Sequence, residues 1–510
     1  MPHSKDTVIL LNFLPSFDSS YSGKGAIYPS IATLLIASAL KKNGFKVKII
    51  DGAYDENYIE KCEEYLRRHK KRVIFVGMSV MTTQVPLANK ASKRVKGVDK
   101  SMPVVWGGCH PTLFPEQTLR DAHVDIISIN EGAFTAIKLA GALKTGDDLS
   151  SINGIGFKTE DHELVITSPE TIENIDDLPH FDFSLIEIDN YLNPKRSVYE
   201  REFPKFRHKV KIMPILTGLG CPYRCQFCIN VILKRRYRYR SAESIVDEII
   251  RLQAEYDVNS FIFMDEDFFI NKKRAMEFVD LVEERDLHFN WRMWCRVDHF
   301  NSNYINHELL KRLDSIGYGS LVMGGESGNQ EILDALKKQT TTEQILNSLK
   351  MLDGTYITPR YSFMVGLEDE TLDQMRDTFD LCFKMKKIRP DVDIAAFIFR
   401  LYPGSPIYNR LVERHNIKIP HDLESWSEFL KESDSYTEMP WTPKAFQDNI
   451  KYISFCMDHV MPARRRNCGA KDVLRAILAK ICQFRLKSFL FFMPVEYMLV
   501  QWFLNRRLQR

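Results

Sequence analysis

The sequence predicts an α/β protein: an N-terminal doubly wound, Rossmann-like domain, then a partial (β/α)6 barrel of the TIM type, then a C-terminal helical extension. Three observations predict it. Short apolar runs alternate with helical patterns over residues 1–140. The alternation resumes through six units between 206 and 415, and residues 416–510 turn basic and aromatic. Residues 141–205, with Gly146-Asp147-Asp148 and Asp176-Asp177-Leu178-Pro179, read as a linker or small β insert.

In the first domain the predicted strands are Thr7 to Leu11, Val47 to Ile50, Val73 to Val76, Pro103 to Trp106 and Val124 to Ile129. Ser30 to Lys42 reads as an amphipathic helix stopped at Asn43-Gly44. The strands end in small or polar residues: Asp51, Gly77-Met78-Ser79, Gly107-Gly108 and Glu131-Gly132. Parallel sheets bind ligands at those carboxyl ends. The barrel strands are Lys211 to Thr217, Ser260 to Met264, Trp291 to Arg296, Ser320 to Met323, Arg360 to Val365 and Ala395 to Phe399. Thr341 with Gln344 forms a capping box between two of them. Catalytic residues of such a barrel belong on the loops after its strands.

The 510 residues are 44% hydrophobic and 27% charged, as in a packed protein. A net charge of +3 implies no polyelectrolyte partner, so nucleic acid is not expected. Val8 to Leu11 is too short for a signal peptide's apolar region, and no stretch reaches the ~20 apolar residues of a spanning helix. The expected location is the cytoplasm. Seven of ten cysteines are scattered and three are clustered, which reads as metal binding in a reducing compartment.

The cluster is Cys221-Pro222-Tyr223-Arg224-Cys225-Gln226-Phe227-Cys228, directly after a predicted strand. Three thiolates at this spacing can hold three irons of a 4Fe–4S cubane and leave the fourth open, as a catalytic metal requires. A closed zinc or four-cysteine site needs another ligand; the nearest His is His208, thirteen residues before Cys221.

This loop resembles the cluster motif of the radical S-adenosylmethionine (SAM) superfamily. The resemblance implies that SAM chelates the open iron and is split reductively to a 5′-deoxyadenosyl radical, with electrons from a donor such as ferredoxin or flavodoxin. It extends along the barrel. Phe227 flanks the cluster. Asp265, in Met264-Asp265-Glu266-Asp267-Phe268, resembles the receiver of the methionine amino group. Glu326, in Gly324-Gly325-Glu326-Ser327, resembles the ribose contact, and Val365 lies in the adenine-cradling stretch. Tyr402-Pro403-Gly404-Ser405-Pro406 resembles the usual end of the barrel, and Arg296 with Asp298 reads as a structural ion pair.

The N-terminal domain resembles the cobalamin-binding domain of the B12-dependent radical SAM subfamily. The matching residues are Tyr28, Ser79, Thr82, Gly107, Gly108, His110, Glu131 and Gly132. Small residues let backbone approach a corrin, and hydroxyls bond its amides. No Asp-x-His-x-x-Gly element supplies an axial His, so His110 reads as a hydrogen-bonding residue. The usual Glu-Gly-Glu is Glu131-Gly132-Ala133. The resemblance implies C-methylation: one SAM methylates cobalamin, a second yields the radical, and the substrate radical takes the methyl group.

From Arg464 onward eleven Lys or Arg face two acids, interleaved with Phe, Leu and Trp. This tail suits a peripheral membrane helix, a lid, or a helical subdomain packed on the barrel. The leading reading is a cobalamin-dependent radical SAM C-methyltransferase acting on a hydrophobic small molecule or a peptide side chain. The alternatives are a B12-dependent cyclase or rearrangement enzyme, and a non-catalytic corrinoid, metal-binding or membrane-recruited module. Methylthiotransferases carry three further N-terminal cluster cysteines; only Cys62 and Cys109 precede the motif here.

Overall fold

Short runs of Val, Ile, Leu and Phe become strands because branched and aromatic side chains pack well on a sheet buried on both faces. The computed structural model describes residues 5–13, 28–192, 210–435, 439–461, 470–492 and 494–500. His208 and residues 462–469 and 501–510 of the basic tail lie outside them.

In the first sheet β1 (Thr7–Asn12), β2 (Lys46–Asp51), β3 (Val73–Ser79), β4 (Val104–Gly107) and β5 (Ile126–Ser128) run parallel in the order β2-β1-β3-β4-β5. Ser30 caps the helix Ile31–Lys42, accepting the Thr33 N–H at 3.4 Å. Two antiparallel strands, β6 (Ile155–Lys158) and β7 (Leu164–Ile166), extend the β5 edge. The segment expected to be a linker or β insert is therefore part of the N-terminal sheet, and the helix Gly132–Thr145 runs through the boundary expected at 140. The hairpin packs closely: a Cβ at Gly156 would lie 2.9 Å from Leu119 and 3.0 Å from Ile127.

The second sheet starts at β8 (Ile212–Ile215). A short hairpin follows, β9 (Gly218–Leu219) paired antiparallel with β10 (Arg238–Tyr239). Then come β11 (Ser260–Phe263), β12 (Asn290–Cys295), β13 (Gly319–Glu326), β14 (Thr358–Val365) and β15 (Asp393–Ile398). The order β15-β14-β13-β12-β11-β8, all parallel, is the expected six-stranded partial barrel. Strand β13 outruns its predicted span because the register shifts between Gly324 and Glu326, so Glu326 ends a strand. Alternation divides the faces. Met213, Ile215, Phe261 and Phe263 join the main core with the helices, whereas Ile212 and Ile262 pack with Tyr28, Met264 and Trp294.

The C-terminal extension splits. The helix Ile450–Val460 packs on β15, and Ala470–Ser488 packs on that helix and on Leu372–Ile388. The helix Trp426–Ser435 instead packs on the N-terminal helix Val85–Val98. Trp426 is fully buried, and its Nε1 donates to Gln117 Oε1 at 2.8 Å. Trp426→Phe keeps an aromatic ring but loses this bond and some volume. A loss of about 1–2 kcal/mol is expected in urea denaturation under anaerobic conditions.

Candidate active site

The three cysteines lie between β9 and β10, which hold the loop's two ends together. Gly220, beside Cys221, has φ 77°, and a Cβ there would collide with the Arg236 carbonyl. Gln226 anchors the loop three ways. Its N–H donates to Leu336 O at 2.9 Å, its carbonyl accepts from Ile407 N–H at 3.1 Å, and its Oε1 accepts from Arg410 at 2.8 Å. Cys225 is buried, and Cys221 and Cys228 are half-buried. Burial pushes the Cys221 thiol up to about 11 and raises Cys228 as well. Bound cations reverse that preference and favour thiolates. Among the described residues no three His, Cys, Asp or Glu converge tightly enough for one metal ion. A cubane makes no such demand, because each thiolate takes a different iron.

The barrel loops bring charge to the cysteines. Asp265, the expected amino-group receiver, is committed elsewhere: Thr217 Oγ1 donates to it and Arg274 Nη2 lies 3.1 Å away, both deeply buried. Glu266 and Asp267 are the carboxylates whose charge acts on Cys221, and Glu266 also acts on Cys228. Asn230 Nδ2 donates to Glu266 at 3.0 Å, and His299 Nε2 lies 2.9 Å from Asp267. Arg296 pairs with Asp298 at 2.9 Å, as expected of an ion pair. It also stacks 3.6 Å from the Tyr223 ring centroid within the cysteine loop.

Glu326 sits at φ 62°, a strained backbone for a residue with a side chain, and its carboxylate pairs with Lys338 at 3.0 Å. Lys338 also lies 5.8 Å from the Phe227 ring centroid. At Val365 the carbonyl accepts from Phe399 N–H at 2.8 Å. In the loop beyond, Glu370 accepts the Gly366 and Leu367 N–H groups at 2.6 and 3.0 Å, while its Oε1 is buried without a partner. Burial pushes Glu370 up to about 7 from 4.5. Its contribution to stability is complete below pH 4.5 and is lost as pH rises to about 7. Glu370→Gln flattens that part of the stability–pH profile. The difference is up to roughly 3 kcal/mol, read from denaturation midpoints across the pH range.

On the N-terminal sheet, small residues crowd the carboxyl ends of β3 to β5. Gly108 has φ 94°, and a Cβ there would lie 2.8 Å from Val80 N and 3.1 Å from Ser79 Oγ. Gly107 and Gly132 sit beside Ser128, whose hydroxyl is buried without a partner. Three of the expected contact residues already have protein partners. His110 is fully buried and lies edge-on to Trp426, 5.3 Å between centroids, with Thr82 3.3 Å from its Nδ1. Burial drops it to about 3. The His110–Thr82 pair packs under the C-terminal segment, and His110 Nε2 is buried without a partner. Glu131 is taken by a bidentate pair with Arg238, at 2.5 and 2.8 Å, and by Ile172 N–H at 2.8 Å. Tyr28 packs against Ile212, Ile262, Met264 and Trp294 of the barrel.

The two domains meet beside the cysteines. Gly404, at φ 102°, leaves room so tight that a Cβ would lie 3.0 Å from both Ile229 and Leu113. Ile229 follows Cys228, and Leu113 ends the helix that opens after Gly108. A separate basic groove of about 450 Å³, bordered by Lys41, Lys46, Lys48 and Arg72, lies at the amino ends of β1 and β2 and is not part of this site.

The radical SAM superfamily profile matches residues 215–382, and the B12 binding domain profile matches residues 25–139. The chain carries a radical SAM domain over 215–382. Residues 25–139 are a B12-binding domain. The chain is 26% identical over 403 residues to an uncharacterized methyltransferase of Pyrococcus horikoshii, covering 78% of this chain and 82% of that one. It is 27% identical over 406 residues to an anaerobic magnesium-protoporphyrin IX monomethyl ester cyclase of Rubrivivax gelatinosus, covering 78% and 69%. The structure of OxsB, a cobalamin-dependent S-adenosylmethionine radical enzyme, superposes with a TM-score of 0.70 at 19% identity over 98% of this chain and 75% of that one.

The residues present fit the cofactors of this family. Three thiols share one braced loop. Next to it Asn230 Oδ1 and Arg235 Nε are buried without partners, as a polar ligand such as SAM would require. Ser79, Gly107, Gly108, Ser128 and Gly132 form a small-residue cradle with an unpaired hydroxyl, which suits a corrin edge.

Proposed function

We propose that this protein is a cobalamin-dependent radical SAM C-methyltransferase acting on an unactivated carbon. The observation that carries the reading is the seam at Gly404, which brings the B12-domain loop ending at Leu113 against the residue that follows Cys228. When bound, the cluster with SAM supplies radical hydrogen abstraction and the corrinoid supplies a transferable methyl group. The chain's residues do the positioning. Cys221, Cys225 and Cys228 would hold three irons. Glu266, its pKa raised by burial and its carboxyl held by Asn230, would gain its charge back on pairing with an ammonium beside the cysteines. Arg296, fixed on Tyr223, holds positive charge at the same loop. Ser79, Gly107, Gly108, Ser128 and Gly132 would seat the corrin. Tyr28, Met264 and Trp294 close the barrel's inner side with apolar surface and exclude water.

The substrate class is hydrophobic: a small molecule or a peptide side chain. Ala395 and Phe397 on β15 pair with Ser362 and Met364 on β14, and Phe397 remains 55% exposed for an apolar ligand. The electron donor is of the ferredoxin or flavodoxin type.

Ring closure is the second reading, favoured by the likeness to the anaerobic cyclase. Reduced protein loaded with cluster and cobalamin separates the two when incubated with SAM. Methyl transfer predicts cobalamin-dependent release of S-adenosylhomocysteine together with 5′-deoxyadenosine. Deoxyadenosine alone overturns methylation in favour of ring closure, and neither product overturns both.

A further inference from the structure

We propose that the helix Ala470–Ser488 seats the protein on an anionic membrane surface. One side of this helix is buried: Ala479, Cys482 and Leu486 are at most 1% exposed. The other side is apolar and bare. Val473, Leu474, Ile477, Ile481 and Phe484 are 60%, 68%, 52%, 37% and 59% exposed. At about 100° per residue they fall within one arc of about 100°, opposite the buried side. The apolar surface continues past the helix through Phe492 and Met498, 79% and 64% exposed.

Charge identifies the occupant. Lys480 is exposed and borders one edge of the arc, and Lys487, beyond it, is paired with Asp380 at 3.7 Å. After Arg464 the chain has two acids, Asp472 and Glu496. Glu496 is neutralised by Arg485 at 3.1 Å. Three arginines at 464–466 and three more at 506, 507 and 510 flank the segment in sequence. An apolar stripe bordered by cations matches acyl chains beneath anionic headgroups. A second copy matches it poorly, because a two-fold interface sets the same patches, and so the same cations, against each other. Among the described residues no helix is long and apolar enough to cross a membrane, so the contact is superficial.

Full-length protein, kept anaerobic, is sedimented with vesicles of phosphatidylcholine alone or mixed with phosphatidylglycerol. Binding to the mixed vesicles that weakens in salt is expected, with weaker binding to the neutral ones. Leu474→Asp with Phe484→Asp lowers partitioning on the order of a hundredfold. Lys480→Gln lowers it roughly fivefold, on anionic vesicles only. Leu474, Phe484 and Lys480 lie on the outer side of the helix, so thermal melting stays unchanged. Deoxyadenosine formation in solution also stays unchanged, which separates this proposal from the catalytic one. No sedimentation with either vesicle overturns it. So does self-association in ultracentrifugation that Leu474→Asp with Phe484→Asp abolishes while vesicles are ignored.

Discussion

Replacing Cys221, Cys225 or Cys228 singly with Ala abolishes 5′-deoxyadenosine formation and leaves the chain folded. Each thiolate is the sole protein ligand of one iron in the proposed cubane, so losing one opens a second iron and the cluster falls apart. The fold survives because the loop is held by other contacts: the Gln226 bonds to Leu336, Ile407 and Arg410, and the β9–β10 pairing. Cys295→Ala is the informative control. Cys295 is buried near the same site but ends β12, outside the cysteine loop, so it is not expected to hold an iron. Iron and acid-labile sulfide per chain, measured with deoxyadenosine yield, check the prediction. The three loop variants lose both and Cys295→Ala keeps both.

The largest stability effect is expected at Arg274. Its guanidinium is 2% exposed beneath the cysteine loop. It donates to Thr217 O at 2.8 Å, to Phe268 O at 2.5 Å and to Asp265 at 3.1 Å, and it stacks 4.3 Å from the Phe268 centroid. Arg274→Met strands a buried carboxylate and two carbonyls and costs about 3–5 kcal/mol. Asp265 is already pushed up by burial, with Arg274 as the main opposing influence, so the variant also drives it neutral. Asp265→Asn removes only the charge and costs about 1–3 kcal/mol. The double variant costs less than the two singles together, because the pair acts as a unit. Urea denaturation under anaerobic conditions measures all three. An Arg274→Met loss within 0.5 kcal/mol of zero contradicts the buried-pair account.

What the sequence made legible was local. Strand positions follow from apolar runs, and the cysteine spacing is a chemical pattern read without tertiary knowledge. The carboxylate beside the cluster was not legible, because Asp265, Glu266 and Asp267 are consecutive and a loop after a strand can turn any of them inward. Thr217, forty-eight residues back, and Arg274, nine residues on, commit Asp265 to the buried side. Contacts between distant segments left no sequence signal. Arg238 claims Glu131 across 107 positions, and Trp426 reaches Gln117 across 309 and with it covers His110. The β6–β7 hairpin was obscured because its alternation is short and Gly156 interrupts it. The exposed stripe on Ala470–Ser488 shows in sequence only as apolar and basic residues together. Which apolar side chains are buried depends on the helix against which they pack.

The central claim is that the polypeptide leaves one iron open for SAM. Its most direct test is electron–nuclear double resonance on the reduced protein with SAM isotopically labelled at the carboxylate. The account predicts a hyperfine coupling between the cluster and the label, lost in the cysteine variants. A fully assembled cluster with no such coupling, or zinc in place of iron, contradicts it.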